Sequence, residues 1–104
     1  MIKVNDDQFE TEVMQSDKLT VIDFGAEWCG PCKKLHPIMD AIEAELDGKV
    51  KIIEMDVATS PQTALRFGVT SVPQLLFFKD GEIKKTIIGL LPKTKILDKI
   101  EDYL

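Results

Sequence analysis

The chain has 104 residues, of which 44% are hydrophobic and 30% are charged, and its formal net charge at pH 7 is −5. This length and hydrophobic content are typical of one domain with a buried core, so we expect a single domain over residues 1–104. The negative charge argues against general nucleic-acid binding, which uses clustered lysine and arginine. The short basic pairs Lys33-Lys34 and Lys84-Lys85 are interpreted as solvated surface.

The N-terminal residues lack a basic segment followed by an apolar run, as a secretory signal has. No apolar stretch reaches the roughly 20 residues that a membrane-spanning helix needs. We therefore expect a cytoplasmic protein with no membrane partner. Since free thiols predominate in the cytosol and lasting disulfides are rare there, a redox site in this chain is expected to act as a reductant.

The first part of the chain predicts a short helix followed by a strand. Asn5 and Gln8 match a capping box for a helix that continues to about Gln15. The run 19–24 is apolar almost throughout and is bounded by polar residues, which is typical of a central strand buried on both faces. The one charged residue of this run is Asp23.

A helix with one buried face is predicted after this strand, because apolar residues recur there at spacings of three and four. They are Leu35, Ile38, Met39, Ile42 and Leu46. Pro31 suits the first turn, where N–H groups have no intrahelical partner, and Gly48 suits the end of the helix. Pro37 is expected to kink it.

The second half of the chain is expected to complete an α/β fold. Its predicted elements are a strand over 50–55, a short helix from Ser60-Pro61 to Gly68, strands over 74–78 and 83–88, and a last helix with Ile96, Leu97, Ile100 and Leu104 as its apolar stripe. Asp80-Gly81 between the two later strands is a strong hairpin signal. This order predicts a central mixed β-sheet flanked by helices on both faces.

The only two cysteines, Cys29 and Cys32, stand three positions apart at the start of the long predicted helix. Residues at i and i+3 of a helix have Cβ atoms about 5–6 Å apart, close to the roughly 3.5–4.5 Å of a disulfide, so the bond can form and break with little movement. Free N–H groups and the helix dipole favour a thiolate at the N-terminus. We therefore expect Cys29 to be the nucleophile and Cys32, one turn in and more shielded, to resolve the mixed disulfide.

Other uses of these residues are less favoured. Tetrahedral zinc needs about four ligands, and besides the cysteines the chain has one histidine, His36, so no metal is expected. A structural disulfide over so short a span removes little chain entropy. His36 is a candidate proton shuttle because imidazole titrates near neutral pH, but a surface or packing role is favoured.

The sequence resembles the thioredoxin family over nearly its whole length. The residues that carry the resemblance are Val21-Ile22-Asp23-Phe24, Ala26-Glu27-Trp28-Cys29-Gly30-Pro31-Cys32-Lys33, Pro37, Val72-Pro73, Asp80-Gly81 and Gly89. The resemblance implies the thioredoxin fold and a general protein-disulfide reductase, and no cofactor is expected. The implied partners are disulfide-containing proteins as substrates and a thioredoxin reductase, linked to NADPH by default or to ferredoxin. We expect the chain to act as a monomer.

The resemblance also assigns site residues. It gives Cys29 and Cys32 the nucleophilic and resolving roles that follow from the helix. It makes Asp23 a general base for Cys32, directly or through a water, and burial in an apolar strand would raise the pKa of this carboxyl group. A structural or edge aspartate is the alternative. The resemblance also implies a cis peptide bond before Pro73, which turns the Val72 backbone toward the cysteines. An ordinary trans proline is the alternative.

The residues around the cysteine pair are expected to form a flat, apolar, weakly specific docking surface, where glycines let another backbone approach closely. This surface comprises Trp28, Gly30, Pro31, Val72, Pro73 and Gly89. A partly buried packing role is compatible with docking for Trp28.

Two residues depart from the commonest family pattern. Gly25 stands where many members have a second tryptophan, and Glu54 stands where many have a lysine near the buried aspartate. The glycine removes packing beside the site. Glu54 is expected to place a like charge near Asp23 and to raise the pKa of Asp23 further. Both departures bear on the reduction potential, the pH profile and the choice of reductase.

Two alternatives to a cytoplasmic reductase stay open: a disulfide oxidase or isomerase, and a non-catalytic partner that uses only the docking surface. Gly-Pro between the cysteines resembles the reducing members of the family, whereas oxidising relatives usually carry a histidine there and are exported. We therefore favour the reductase.

Overall fold

A five-stranded sheet forms the centre of the computed structural model, which describes residues 1–104. The strands are β1 (Ile2–Lys3), β2 (Thr20–Gly25), β3 (Lys51–Asp56), β4 (Gln74–Lys79) and β5 (Glu82–Ile88). The α-helices are α1 (Gly30–Leu46), α2 (Pro61–Arg66) and α3 (Lys93–Glu101). Two short segments precede β2, a 3-10 helix over Asp6–Gln8 and a π-helix over Glu10–Met14.

The sheet is mixed, with the strand order β1-β3-β2-β4-β5. The three strands β1, β3 and β2 run parallel, while β4 pairs antiparallel with both β2 and β5. The central strand β2 is buried over nearly its whole length, as its apolar sequence predicts. Its register places Asp23 beside Glu54 of β3 on one side and Leu75 of β4 on the other.

Helices cover both faces of the sheet, which confirms the predicted layering. On one face, α1 and α3 contribute Leu35, Met39, Ile42, Ile96 and Ile100 to an apolar cluster. On the other face, the N-terminal helical segments and α2 contribute Phe9, Val13 and Ala64. None of the helices has the length and apolar character needed to span a bilayer.

The turn between β4 and β5 has the predicted hairpin geometry. Asp80 and Gly81 have φ values of 54° and 77°. Positive φ at both central residues defines the type I′ turn, which asparagine, aspartate and glycine adopt most readily. The hairpin brings the end of β5 beside the start of β4, with Ile88 opposite Gln74.

The first segments of the chain differ from the prediction. Asn5 and Gln8 form the predicted capping box, but the turns that follow are a 3-10 helix and a π-helix rather than one helix to Gln15. Strand β1 is not predicted from the sequence, because two residues give no periodic signal.

The ends of the longer helices also differ in detail. The prediction that Leu104 belongs to the apolar stripe of α3 is wrong, because Leu104 lies beyond the end of the helix and is exposed. Helix α1 ends at Leu46, and its C-cap Asp47 has a left-handed backbone. Gly48 follows with a φ of 83°, so the chain turns where a glycine stop is predicted.

Candidate redox site at the start of helix α1

The two cysteines form a disulfide across the first turn of α1. Their Cα atoms are 5.3 Å apart. Cys29 is the N-cap residue of the helix, and its extended backbone turns the side chain back over the first turn, where Sγ accepts a bond from the Cys32 N–H at 3.2 Å. An N-cap sulfur in this position lies where free N–H groups and the helix dipole stabilise negative charge.

Cys32 is not the more shielded cysteine in this disulfide form, contrary to the prediction. Cys29 is 5% exposed and Cys32 is 9% exposed. The reason is the N-cap geometry, which folds the Cys29 side chain inward rather than leaving it at the helix tip. Ala26, Val57 and Val72 pack against the pair. Both cysteines are buried, and they differ mainly in their neighbours.

On one side of the disulfide lies the Val72-Pro73 segment. Its peptide bond is cis, as the resemblance implies. The Val72 carbonyl oxygen lies 3.8 Å from Cys29 Sγ. Pro73 is buried, and its carbonyl oxygen accepts a bond of 2.9 Å from the N–H of Gly89. The structure thus connects Cys29, Val72, Pro73 and Gly89 through a chain of contacts.

The residues that flank Cys29 in sequence are open to solvent. Trp28 is 77% exposed, and Gly30 and Pro31 are exposed as well. A tryptophan of this exposure contributes little to the core, so the partly buried packing role considered for Trp28 is wrong. A large apolar side chain beside a redox pair is instead available to another protein.

On the other side of the disulfide lies a cavity of about 160 Å³ that Cys32 and Asp23 both line. Asp23 is 5% exposed, which excludes an edge position. The pKa of Asp23 is raised from 3.8 to about 7. Burial is the largest cause, the Glu54 and Asp40 carboxylates also raise the pKa, and His36 lowers it. The predicted like-charge effect of Glu54 is therefore present.

His36 lies at the rim of this cavity between two carboxylates. Its Nδ1 is 3.2 Å from Glu54 Oε2, and its Nε2 is 3.2 Å from Asp40 Oδ2. The sequence analysis does not predict this arrangement. The i,i+4 spacing of His36 and Asp40 was a readable signal, but the contact with Glu54 depends on how α1 packs against β3.

Gly25 lies against Cys32 at the end of β2. A Cβ atom on Gly25 would be 3.4 Å from Cys32 Cβ and 3.5 Å from Cys32 Sγ. The glycine therefore leaves the cavity side of Cys32 uncovered. No group of three or more metal-ligating side chains comes together in the structure.

Comparison with known proteins gives a consistent result. The family model described as Thioredoxin matches residues 1–102. The chain is 48% identical over 97 residues to a thioredoxin of Rickettsia conorii, which covers 93% of this chain and 92% of that protein. It is 41% identical over 104 residues to a thioredoxin of Haemophilus influenzae, covering 100% and 97%. It is also 41% identical over 101 residues to a chloroplastic M-type thioredoxin of Pisum sativum, covering 97% of this chain and 59% of that protein.

Proposed function

Because the chain belongs to the thioredoxin family and is a protein-disulfide reductase, we propose that Cys29 is its nucleophile and Cys32 its resolving thiol. The observation that carries this assignment is the position of Cys29 as N-cap of α1, with its Sγ facing both the Cys32 N–H and the Val72 carbonyl. The family and the closed cysteine pair favour the reductase over an oxidase, an isomerase or a non-catalytic partner.

In the first step, the Cys29 thiolate of the reduced protein attacks one sulfur of a substrate disulfide. A new bond forms between Cys29 Sγ and that sulfur, and the substrate S–S bond breaks. The second substrate sulfur leaves as a thiolate and takes a proton from solvent. The Cys32 N–H and the helix N-terminus support this step because they stabilise the attacking thiolate.

In the second step, Asp23 accepts the proton of the Cys32 thiol, directly or through a water in the shared cavity. The Cys32 thiolate then attacks Cys29 Sγ, the Cys29–Cys32 disulfide forms, and the substrate sulfur leaves as a thiolate. The substrate disulfide gains two electrons and the cysteine pair loses them. A pKa of about 7 suits Asp23 to this role, since a base works best when its pKa is near the working pH.

The substrate segment is proposed to bind along the docking surface of Trp28, Gly30, Pro31, Val72 and Gly89, which the buried Pro73 supports from beneath. The Val72 backbone beside Cys29 offers a hydrogen-bonding edge to an extended chain, and the exposed Trp28 offers apolar contact. Backbone pairing depends little on substrate sequence, so this mode of binding suits a reductase of many proteins.

The partners of the protein are disulfide-containing proteins and a reductase that restores the thiols. We propose an NADPH-linked thioredoxin reductase as the default donor, with a ferredoxin-linked enzyme as the alternative. We further propose that the protein works as a monomer in the cytoplasm, which its similarity to bacterial thioredoxins supports. The similar pea protein is named as chloroplastic.

An insulin-reduction assay tests the proposed reaction and donor separately. With dithiothreitol as electron source, the wild-type protein should accelerate insulin reduction, and the Cys29→Ser variant should not. The assay is then repeated with NADPH and a bacterial thioredoxin reductase, and with a ferredoxin-linked reductase. Activity with the dithiol but not with NADPH and its reductase would reject the default donor. No activity with any donor would reject the reductase.

A further inference from the structure

His36 joins two structural elements at the rim of the cavity that Cys32 and Asp23 share. It projects from α1, where Asp40 follows one turn later, and its other ring nitrogen faces Glu54 on β3. Its side chain is 47% exposed, so it contacts both solvent and the cavity rim. No step of the mechanism above uses this histidine.

Both ring nitrogens of His36 lie 3.2 Å from carboxylate oxygens, Nε2 from Asp40 and Nδ1 from Glu54. The imidazolium carries two N–H groups, whereas a neutral imidazole carries one N–H and one lone pair. The charged form of the ring therefore presents a positive N–H group to each of the two carboxylates.

The charges around Asp23 come from several elements. Those that line the cavity with it are Lys3 of β1, Glu27 of the loop after β2, Lys33 and His36 of α1, and Glu54 and Asp56 of β3. Asp40 of α1 acts on Asp23 from beyond the lining and also pairs with the amino group of Met1 at 2.8 Å. Lys3 is the register partner of Glu54 on β1, but the cation within ion-pair distance of the Glu54 carboxylate is His36, at 3.2 Å. Glu54 is in turn the register partner of Asp23.

We propose that His36 is a positioning residue for the resolving step: held between Glu54 and Asp40, its cation offsets the charge of Glu54 and keeps Asp23 ionised, ready to accept the Cys32 proton. This inference rests on the proposed role of Asp23 as base. Glu54 raises the pKa of Asp23 and His36 lowers it, so the effect of His36 has the direction that the proposal requires.

The test compares His36→Gln, His36→Lys and a matched control, Lys34→Gln, which removes an exposed positive charge from the same helix. The readouts are the titration of the Asp23 carboxyl carbon by NMR and the rate of mixed-disulfide resolution against pH. We expect His36→Gln to move the Asp23 midpoint to higher pH and to slow resolution at pH 7 by roughly threefold to tenfold, with the Cys29 attack unchanged. We expect His36→Lys, which keeps a positive charge at this position, to retain the wild-type rate at pH 7.

Identical Asp23 titrations in wild type and His36→Gln would overturn the proposal. The same shift in Lys34→Gln as in His36→Gln would overturn it too, because net charge alone would then explain the effect. The Asp23→Asn variant tests the base role of Asp23 separately from the effect of His36 on Asp23. If it resolves mixed disulfides at the wild-type rate, the base role fails, while the NMR titration still decides whether His36 controls Asp23.

Discussion

Asp23 and Glu54 are register partners on the neighbouring parallel strands β2 and β3, so two carboxylates stand side by side on the sheet. Asp23 is buried, and the Glu54 side chain is 30% exposed. A buried carboxyl group beside a like charge loses its proton less easily than one in water. The pKa of Asp23 is about 7 for these reasons, burial being the larger one. The sheet therefore carries an acid that exchanges protons near neutral pH.

The Asp23→Asn substitution should stabilise the protein at high pH. Since the pKa of Asp23 is raised from 3.8 to about 7 on folding, the folded state binds more protons than the unfolded state between about pH 4 and 7. The wild type therefore loses stability as pH rises through this window. The loss corresponds to at most about 4 kcal/mol of unfolding free energy above pH 7, and the neutral amide avoids it.

Urea unfolding of the oxidised protein at pH 4 and pH 8 measures this effect. The variant should be more stable than the wild type at pH 8 and similar to it at pH 4. Asp98→Asn, at an exposed position of α3, is the control and should change stability little at either pH. A variant no more stable than wild type at pH 8 would show that Asp23 carries no buried charge.

The Glu54→Gln substitution should lower the pKa of Asp23. It removes the carboxylate that raises this pKa and leaves His36 to act on Asp23 without its partner. The midpoint of the pH profile for mixed-disulfide resolution should move down by about one pH unit, the size expected for a partly exposed like charge. Glu27→Gln removes a charge from the same cavity rim and should leave the midpoint in place. Equal midpoint shifts in Glu54→Gln and Glu27→Gln would contradict a specific effect of Glu54 on Asp23.

The Gly25→Ala substitution should slow the resolving step with little cost in stability. The added methyl group would meet the Cys32 side chain at 3.4 to 3.5 Å, which is close contact without a clash against backbone. We expect a change in unfolding free energy below about 1 kcal/mol and a slower proton transfer from Cys32, because the methyl group occupies part of the cavity. The rate of Cys29 attack on a substrate disulfide, measured in the same variant, is the internal control and should stay at the wild-type value. An unchanged resolution rate in Gly25→Ala would show that proton transfer from Cys32 does not depend on the open cavity beside Gly25.

The Trp28→Ala substitution should separate docking from chemistry. Because Trp28 is 77% exposed, its removal should change the unfolding free energy by less than about 0.5 kcal/mol. We expect kcat/KM for insulin reduction to fall several-fold, and the rate with a small disulfide such as oxidised glutathione to change little. A parallel loss with both substrates would mean that Trp28 acts on the cysteine pair and not on the docked protein.

Much of this architecture could be predicted from sequence because its signals are local. The apolar run around Ile22, the periodic residues of α1 and the Asp80-Gly81 turn each specify an element through their own spacing. The ends of elements were less predictable, and β1 was missed, because pairing with β3 defines it and two residues carry no pattern.

The features of the site that have a local sequence signal could also be predicted, and those that depend on tertiary contacts could not. The cysteine spacing predicts the disulfide, and the apolar neighbours of Asp23 predict its burial. The contact between His36 and Glu54 could not be predicted, since it joins a helix to a strand that is distant in sequence. The inward turn of the Cys29 side chain was also missed, because exposure at an N-cap depends on the loops that pack over it.

Trapping of the mixed disulfide tests the unequal roles of the two cysteines most directly. Reduced Cys32→Ser and Cys29→Ser variants are mixed with a disulfide-containing protein, quenched with acid and analysed by non-reducing electrophoresis and mass spectrometry. The account predicts a stable adduct through Cys29 in the Cys32→Ser variant, and none in the Cys29→Ser variant. An adduct that forms through Cys32 at an equal or greater rate would contradict the assignment of Cys29 as nucleophile.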